Sequence, residues 1–95
     1  MVTSLEIIWS PESEKDLKLI YCLYSDKNET YANQVIFEII HQTEKIIFPN
    51  QFQADEILGL PFRRFFVKNW RIIYQVNQNQ ILIYRIFDVR KERTT

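Results

Sequence analysis

The chain has 95 residues, of which 46% are hydrophobic and 25% charged, with one Gly and three Pro; this composition excludes collagen-like and low-complexity sequence and suits one globular domain spanning residues 1–95. Twelve Lys and Arg balance twelve Asp and Glu, and a single Cys excludes an internal disulfide and a cysteine-based zinc site. No apolar run approaches the about 18 residues that span a bilayer, and the N-terminus has no signal-peptide pattern, so a soluble cytoplasmic protein is expected.

Residues 3–9 alternate, with Leu5, Ile7 and Trp9 on one side and Ser4 and Glu6 on the other, and predict a strand with one buried face. Ser10-Pro11-Glu12 then combines an N-cap hydroxyl, a proline that suits the first helical turn and a carboxylate at the positive end of the dipole. A helix should start there. Leu17, Ile20, Tyr21 and Tyr24 recur at i, i+3, i+4 and i+7, with Lys15, Asp16 and Lys18 assigned to the polar side, and the helix is expected to end near Ser25. Asp26-Lys27-Asn28 forms a turn into a second helix marked by Ala32, Val35, Ile36, Ile39, Thr43 and Ile46, which must stop by Phe48 because Pro49 follows. So short a link predicts an antiparallel helical hairpin.

Residues 49–60 hold the only Gly and no strong period, and a loop is expected. Three strands follow at residues 62–67, 70–76 and 80–87, joined by a two-residue turn at Lys68-Asn69 and a three-residue turn at Asn77-Gln78-Asn79. Leu82, Tyr84 and Ile86 are expected in the core, with Arg71 and Arg85 emerging on the opposite face. The order β-α-α-β-β-β predicts an α+β fold, its N-terminal helical hairpin packed on one face of a mainly antiparallel, curved sheet.

Neutrality hides a charge asymmetry. Residues 1–48 carry four Lys/Arg against eight Asp/Glu, and residues 49–95 carry eight against four. The stretch PFRRFFVKNWRIIYQV, residues 61–76, sets four cations among aromatic and aliphatic side chains. On the sheet face that the helices leave open, Arg64, Arg71 and Arg85 would fork onto phosphate or carboxylate oxygens, and neighbouring rings could stack on bases. A solvated face whose cations guard against edge aggregation would use the same residues. Cys22 is expected as a packed helical thiol and His41 as a solvent-facing side chain. No metal-ligand spacing, phosphate-cradling Gly loop or Ser/His/Asp set is visible, so no metal or cofactor is expected.

Three stretches, IIWSPESEKDLKLIYCLY, LPFRRFFVKNWRIIYQV and ILIYRIFDVRKER, follow one another over roughly residues 5–93. In this order and spacing the chain resembles the RelE/ParE superfamily of bacterial type II toxins. The resemblance implies a small α+β toxin silenced by a cognate antitoxin whose acidic and apolar segment folds onto it, with operator DNA reached only through that antitoxin and no membrane partner. It implies first a metal-independent, ribosome-dependent mRNA endonuclease. The alternatives are a non-enzymatic ParE-like inhibitor of DNA gyrase, or a non-toxic antitoxin-binding module. RNA cleavage by 2′-hydroxyl attack needs a proton acceptor, cations on the phosphorane and a donor for the leaving oxygen. The resemblance assigns phosphate stabilisation to Arg71, which precedes Ile-Ile-Tyr, and added charge to Arg90 and Lys91. Asp88 stands where many members carry a histidine, and is a candidate proton acceptor or a partner of Arg90.

Overall fold

The structure is a computed structural model that describes residues 5–48 and 50–92. The elements are β1 (Glu6–Trp9), α1 (Pro11–Ser25), α2 (Glu29–Glu44), β2 (Arg63–Val67), β3 (Trp70–Asn77), β4 (Gln80–Asp88) and a short α3 (Val89–Glu92). The four strands form one sheet in the order β1-β4-β3-β2, with β1 parallel to β4 and the other pairs antiparallel. This is the expected α+β fold. The part of the first strand expected at residues 3 and 4 lies outside the described residues, as does Pro49.

Local chemistry accounts for the helices. Ser10 caps α1 by accepting a hydrogen bond from the Ser13 amide at 2.9 Å, Pro11 occupies the first turn, and Asn28 caps α2 through the Tyr31 amide at 3.0 Å. Ile20 on α1 and Val35 and Ile39 on α2 bury against Phe65, Val67, Trp70, Ile72, Tyr74, Ile81, Ile83 and Ile86 of the sheet. The helix after Asn28 ends at Glu44, before Ile46, which is buried beyond its C-cap. Asp16 is not on the solvent side: Ser13, Asp16 and Ile20 are the buried residues of α1, at i, i+3 and i+7. Cys22 is exposed rather than packed, and His41 is exposed as expected, stacked on Phe37.

Both hairpin turns have two residues. Lys68-Asn69 is as expected, but the β3–β4 turn is Gln78-Asn79, since Asn77 pairs with Gln80. The first residue of each turn, Lys68 at φ 55° and Gln78 at φ 59°, takes the left-handed conformation that reverses the chain within two residues.

The core side of β4 departs from simple alternation. Ile81 and Ile83 are buried, Leu82 is half-buried and Tyr84 is exposed, so the expected inward set of Leu82, Tyr84 and Ile86 holds only for Ile86. The pairing explains it: Tyr74 faces Ile83 while Ile73 faces Arg85, leaving Tyr84 as one extra residue on β4. Such a bulge reverses the facing of everything beyond it, so Ile83 and Ile86, three apart, can share one side.

The bulge is held from α1. β1 pairs only with residues 80–83 of β4, and beyond it the start of the helix serves the open strand edge. The Ser10 amide donates to the Ile83 carbonyl at 3.0 Å, the Ser10 hydroxyl to the Tyr84 carbonyl at 2.8 Å, and the Ile86 amide to Asp16 Oδ2 at 2.9 Å. Ser10 is thus both the cap of α1 and its clamp onto the bulge. Replacing it by alanine should lower the unfolding free energy by about 1–2 kcal/mol. Urea denaturation measures this, and an unchanged midpoint would refute the double role.

Candidate functional site

The sheet face opposite the helices is the candidate site. On it the pairing sets Phe66, Arg71 and Phe87 in one row across β2, β3 and β4, and Arg64, Ile73 and Arg85 in the next. The expected gathering of cations and aromatics is therefore present. Arg64 lies over the Phe66 ring at 4.9 Å, and Arg71 and Arg85 lie over Phe87 at 5.1 and 4.9 Å.

The expectation that Arg71 emerges to grip an external anion does not hold. Arg71 is 5% exposed and its guanidinium meets the carboxylate of Asp55, itself 1% exposed. Asp55 comes from the loop between α2 and β2, which folds along β2: the Asp55 amide donates to the Phe62 carbonyl at 2.9 Å, and Ala54 forms a bridge with Arg63. Its Oδ2 accepts from the amides of Ile57 at 3.1 Å and Leu58 at 2.8 Å, and its carbonyl accepts from Gly59, whose φ of 73° completes the turn. One carboxylate thus closes the loop and neutralises the central arginine.

Arg64 and Arg85 follow the same pattern, whereas Arg63 donates from Nη1 to the Phe52 carbonyl at 2.9 Å. Arg64 makes a forked contact with Glu56, donating from Nε at 2.9 Å and from Nη2, and Nη2 also reaches Gln53 at 3.0 Å. This fork holds the Glu56 carboxyl down at about 2, and Glu56 in turn raises the Arg64 guanidinium. Arg85 donates to Asp16 from Nε at 2.8 Å and from Nη2 at 3.3 Å, which raises its own affinity for the proton. Burial of Asp16 on α1 ties this pair to the same carboxylate that holds the β4 edge.

Asp88, Arg90 and Lys91 lie where β4 passes into α3. Asp88 Oδ1 accepts from the Arg90 amide at 3.0 Å, from Arg90 Nε at 3.2 Å and from Asn69 at 3.1 Å, and Oδ2 accepts from Arg90 Nη2 at 3.2 Å. The Arg90 side chain foremost, with Asn69, holds Asp88 below its ordinary value. Of its two expected roles, pairing with Arg90 is the one the geometry shows. Lys91 borders a groove between α1 and the end of β4 together with Asp16, Arg85 and Asp88, whereas Arg64 and Arg71 belong to the open sheet face. Among the described residues no cluster of His, Cys, Asp or Glu could hold a metal ion, and no helix is long and apolar enough to cross a membrane.

Three residues central to this site carry signals that composition overlooks. Asp16 sits on the apolar stripe of α1, where a carboxylate needs a buried partner. Asp55 precedes Gly59 by four residues, a spacing suited to an aspartate-closed turn, and Glu56 is its immediate neighbour.

The Arg71–Asp55 pair is fully desolvated, so removing one partner strands the other; Asp55→Ala or Arg71→Ala should each destabilise the protein by about 3–5 kcal/mol. Thermal unfolding tests this, and a variant as stable as the parent would refute it. For Glu56 the sign follows from its depressed value: the contribution of its pair is present above about pH 4.5 and is lost as pH falls toward about 2. An NMR titration of the Glu56 side chain should show that low midpoint, and one near 4.5 would mean the fork does not form in solution.

The family model described as "ParE toxin of type II toxin-antitoxin system, parDE" matches residues 7–93. No curated protein sequence matches the chain. Among solved structures it is similar to a chain of the chromosomal ParDE TA system from P. aeruginosa, at 20% identity and a TM-score of 0.74, covering 90% of this chain and 96% of that one. It is also similar to a chain of the E. coli DinJ–YafQ complex, at 15% identity and a TM-score of 0.56 with 96% and 100% covered, and to the conserved hypothetical protein HP0894 from Helicobacter pylori, at 21% and 0.55 with 86% and 91% covered. At these identities the structural likenesses carry the fold, and the family match over nearly the whole sequence carries the assignment: the chain belongs to the ParE toxin family of type II toxin–antitoxin systems, within the RelE/ParE superfamily.

Proposed function

We propose that this toxin acts by binding a protein target, as a non-enzymatic ParE-like inhibitor of DNA gyrase in the bacterial cytoplasm, and that a cognate antitoxin silences it. The observation that carries this reading is that Arg64, Arg71, Arg85 and Arg90 are each closed on a carboxylate of the same chain. Cleavage of RNA through its 2′-hydroxyl would need cations turned toward the phosphate and a base able to take a proton. Asp88 is depressed in pKa and both its oxygens already accept hydrogen bonds, while His41 stacks on Phe37 on α2. Ribosome-dependent mRNA cleavage, with Arg71 on the phosphate and Arg90 and Lys91 adding charge, would require the buried Arg71–Asp55 pair to open first.

The antitoxin proposal draws on the family, and on the ParDE and DinJ–YafQ structures, in which the related fold comes from a toxin–antitoxin system. Exposed apolar side chains on the loop and sheet, Ile57, Leu58, Leu60, Phe66 and Tyr84, suit a partner segment that orders on binding.

Two assays with purified protein separate the readings. Gyrase supercoiling should be inhibited in the absence of ribosomes, and transcripts in a translating extract should remain uncut. Cut transcripts with unimpaired supercoiling would overturn the proposal in favour of the endonuclease.

A further inference from the structure

The two neighbouring carboxylates of the loop serve differently. Asp55 and Arg71 are enclosed, and Asp55 also closes its own turn, so neither can be exchanged without opening the fold. The Glu56 side chain is 64% exposed, while that of its partner Arg64 is only 14% exposed, held over the Phe66 ring and steadied by Gln53. The guanidinium is therefore positioned by the fold and the carboxylate by little besides the guanidinium. An ion pair with one largely exposed partner is worth little net, so a second carboxylate can take its place readily.

We propose that Arg64 is a carboxylate-exchange site: Glu56 occupies it in the free protein, and an Asp or Glu from an acidic, apolar segment of a protein partner displaces Glu56 and docks over Phe66. The site already accepts a carboxylate in a forked geometry, which fixes the chemistry of the incoming group. Phe66, beneath Arg64, and Ile57, Leu58 and Leu60 on the loop that carries Glu56 are exposed apolar side chains, which suit a peptide better than a phosphate backbone. A nucleic-acid strand would need a row of cations turned outward, and Arg71 and Arg85 beside this site face carboxylates of their own. The inference deepens the reading of this chain as a partner-binding protein, but its test needs no gyrase, so either can fail alone.

The test is the affinity of the purified chain for a fluorescent peptide alternating glutamate and leucine, its glutamine counterpart and a single-stranded oligonucleotide. Glu56→Gln removes the internal competitor and should tighten the glutamate peptide roughly 3- to 10-fold, a range set by the modest worth of an exposed pair. Glu44→Gln, an equal change of charge at the end of α2 in the helical layer on the other face of the sheet, should leave the affinity within about 2-fold. Arg64→Gln should abolish the preference for glutamate over glutamine, and Arg64→Lys, which keeps the charge but not the fork, should weaken it. Equal tightening by Glu56→Gln and Glu44→Gln, no tightening by either, or indifference between the two peptides would each overturn the exchange site. Preferential capture of the oligonucleotide would overturn it in favour of a nucleic-acid surface.

Discussion

A buried ion pair between the middle of the sheet and the long loop joining α2 to β2 organises the side of this protein that faces away from its helices. Arg71 stands on the inner strand β3 between Phe66 of β2 and Phe87 of β4, where an unpartnered guanidinium could not be left away from water. Asp55 supplies the opposite charge and, through its second oxygen and its backbone, folds residues 55–59 into a turn. The loop is thereby an integral part of the sheet, paired along β2 through Asp55 and Ala54 and packed on the core through Phe52, whose ring stacks on Phe65 at 5.2 Å. Even the exposed Glu56–Arg64 pair depends on it, because Asp55 sets where its neighbour can reach.

This arrangement explains how a chain without net charge can concentrate its cations in its second half. The acidic first half is folded back on the basic second: Asp16 on α1 meets Arg85 on β4, and Glu38 on α2 meets Lys68 in the β2–β3 turn at 3.7 Å. Asp55 and Glu56 meet Arg71 and Arg64. Balanced internally, Arg64, Arg71 and Arg85 orient rings and hold elements together rather than presenting a uniform positive field.

The helical layer and the sheet are joined by a similar economy of polar groups. Where β1 ends, Ser10 and Asp16 take over its hydrogen bonding to β4, so the bulge at Tyr84 lies against the start of α1. That bulge turns Ile83 and Ile86 into the same core, puts Tyr84 outside in contact with Phe62 at 4.9 Å, and sets Arg85 and Phe87 on the face that carries the arginine rows. The candidate site therefore inherits its geometry from one extra residue in β4.

The order of the first six elements, the two long helices with the Ser10 cap of α1, the β2–β3 turn and the clustering of cations with aromatics were all legible from residue type and spacing, because each rests on interactions between positions a few residues apart; the cap at Asn28 and the short α3 were not read. The resemblance over the three quoted stretches pointed to the family that the match over residues 7–93 then established. What only the tertiary structure decided was the destination of each charge and the facing of β4. Arg85 and Asp16 are 69 residues apart and Arg71 and Asp55 are 16 apart, so no local pattern couples them. Strand alternation likewise predicts facing only while the register is unbroken, and the insertion at Tyr84 is set by how β4 pairs with β3, a constraint that exists only once the strands have met.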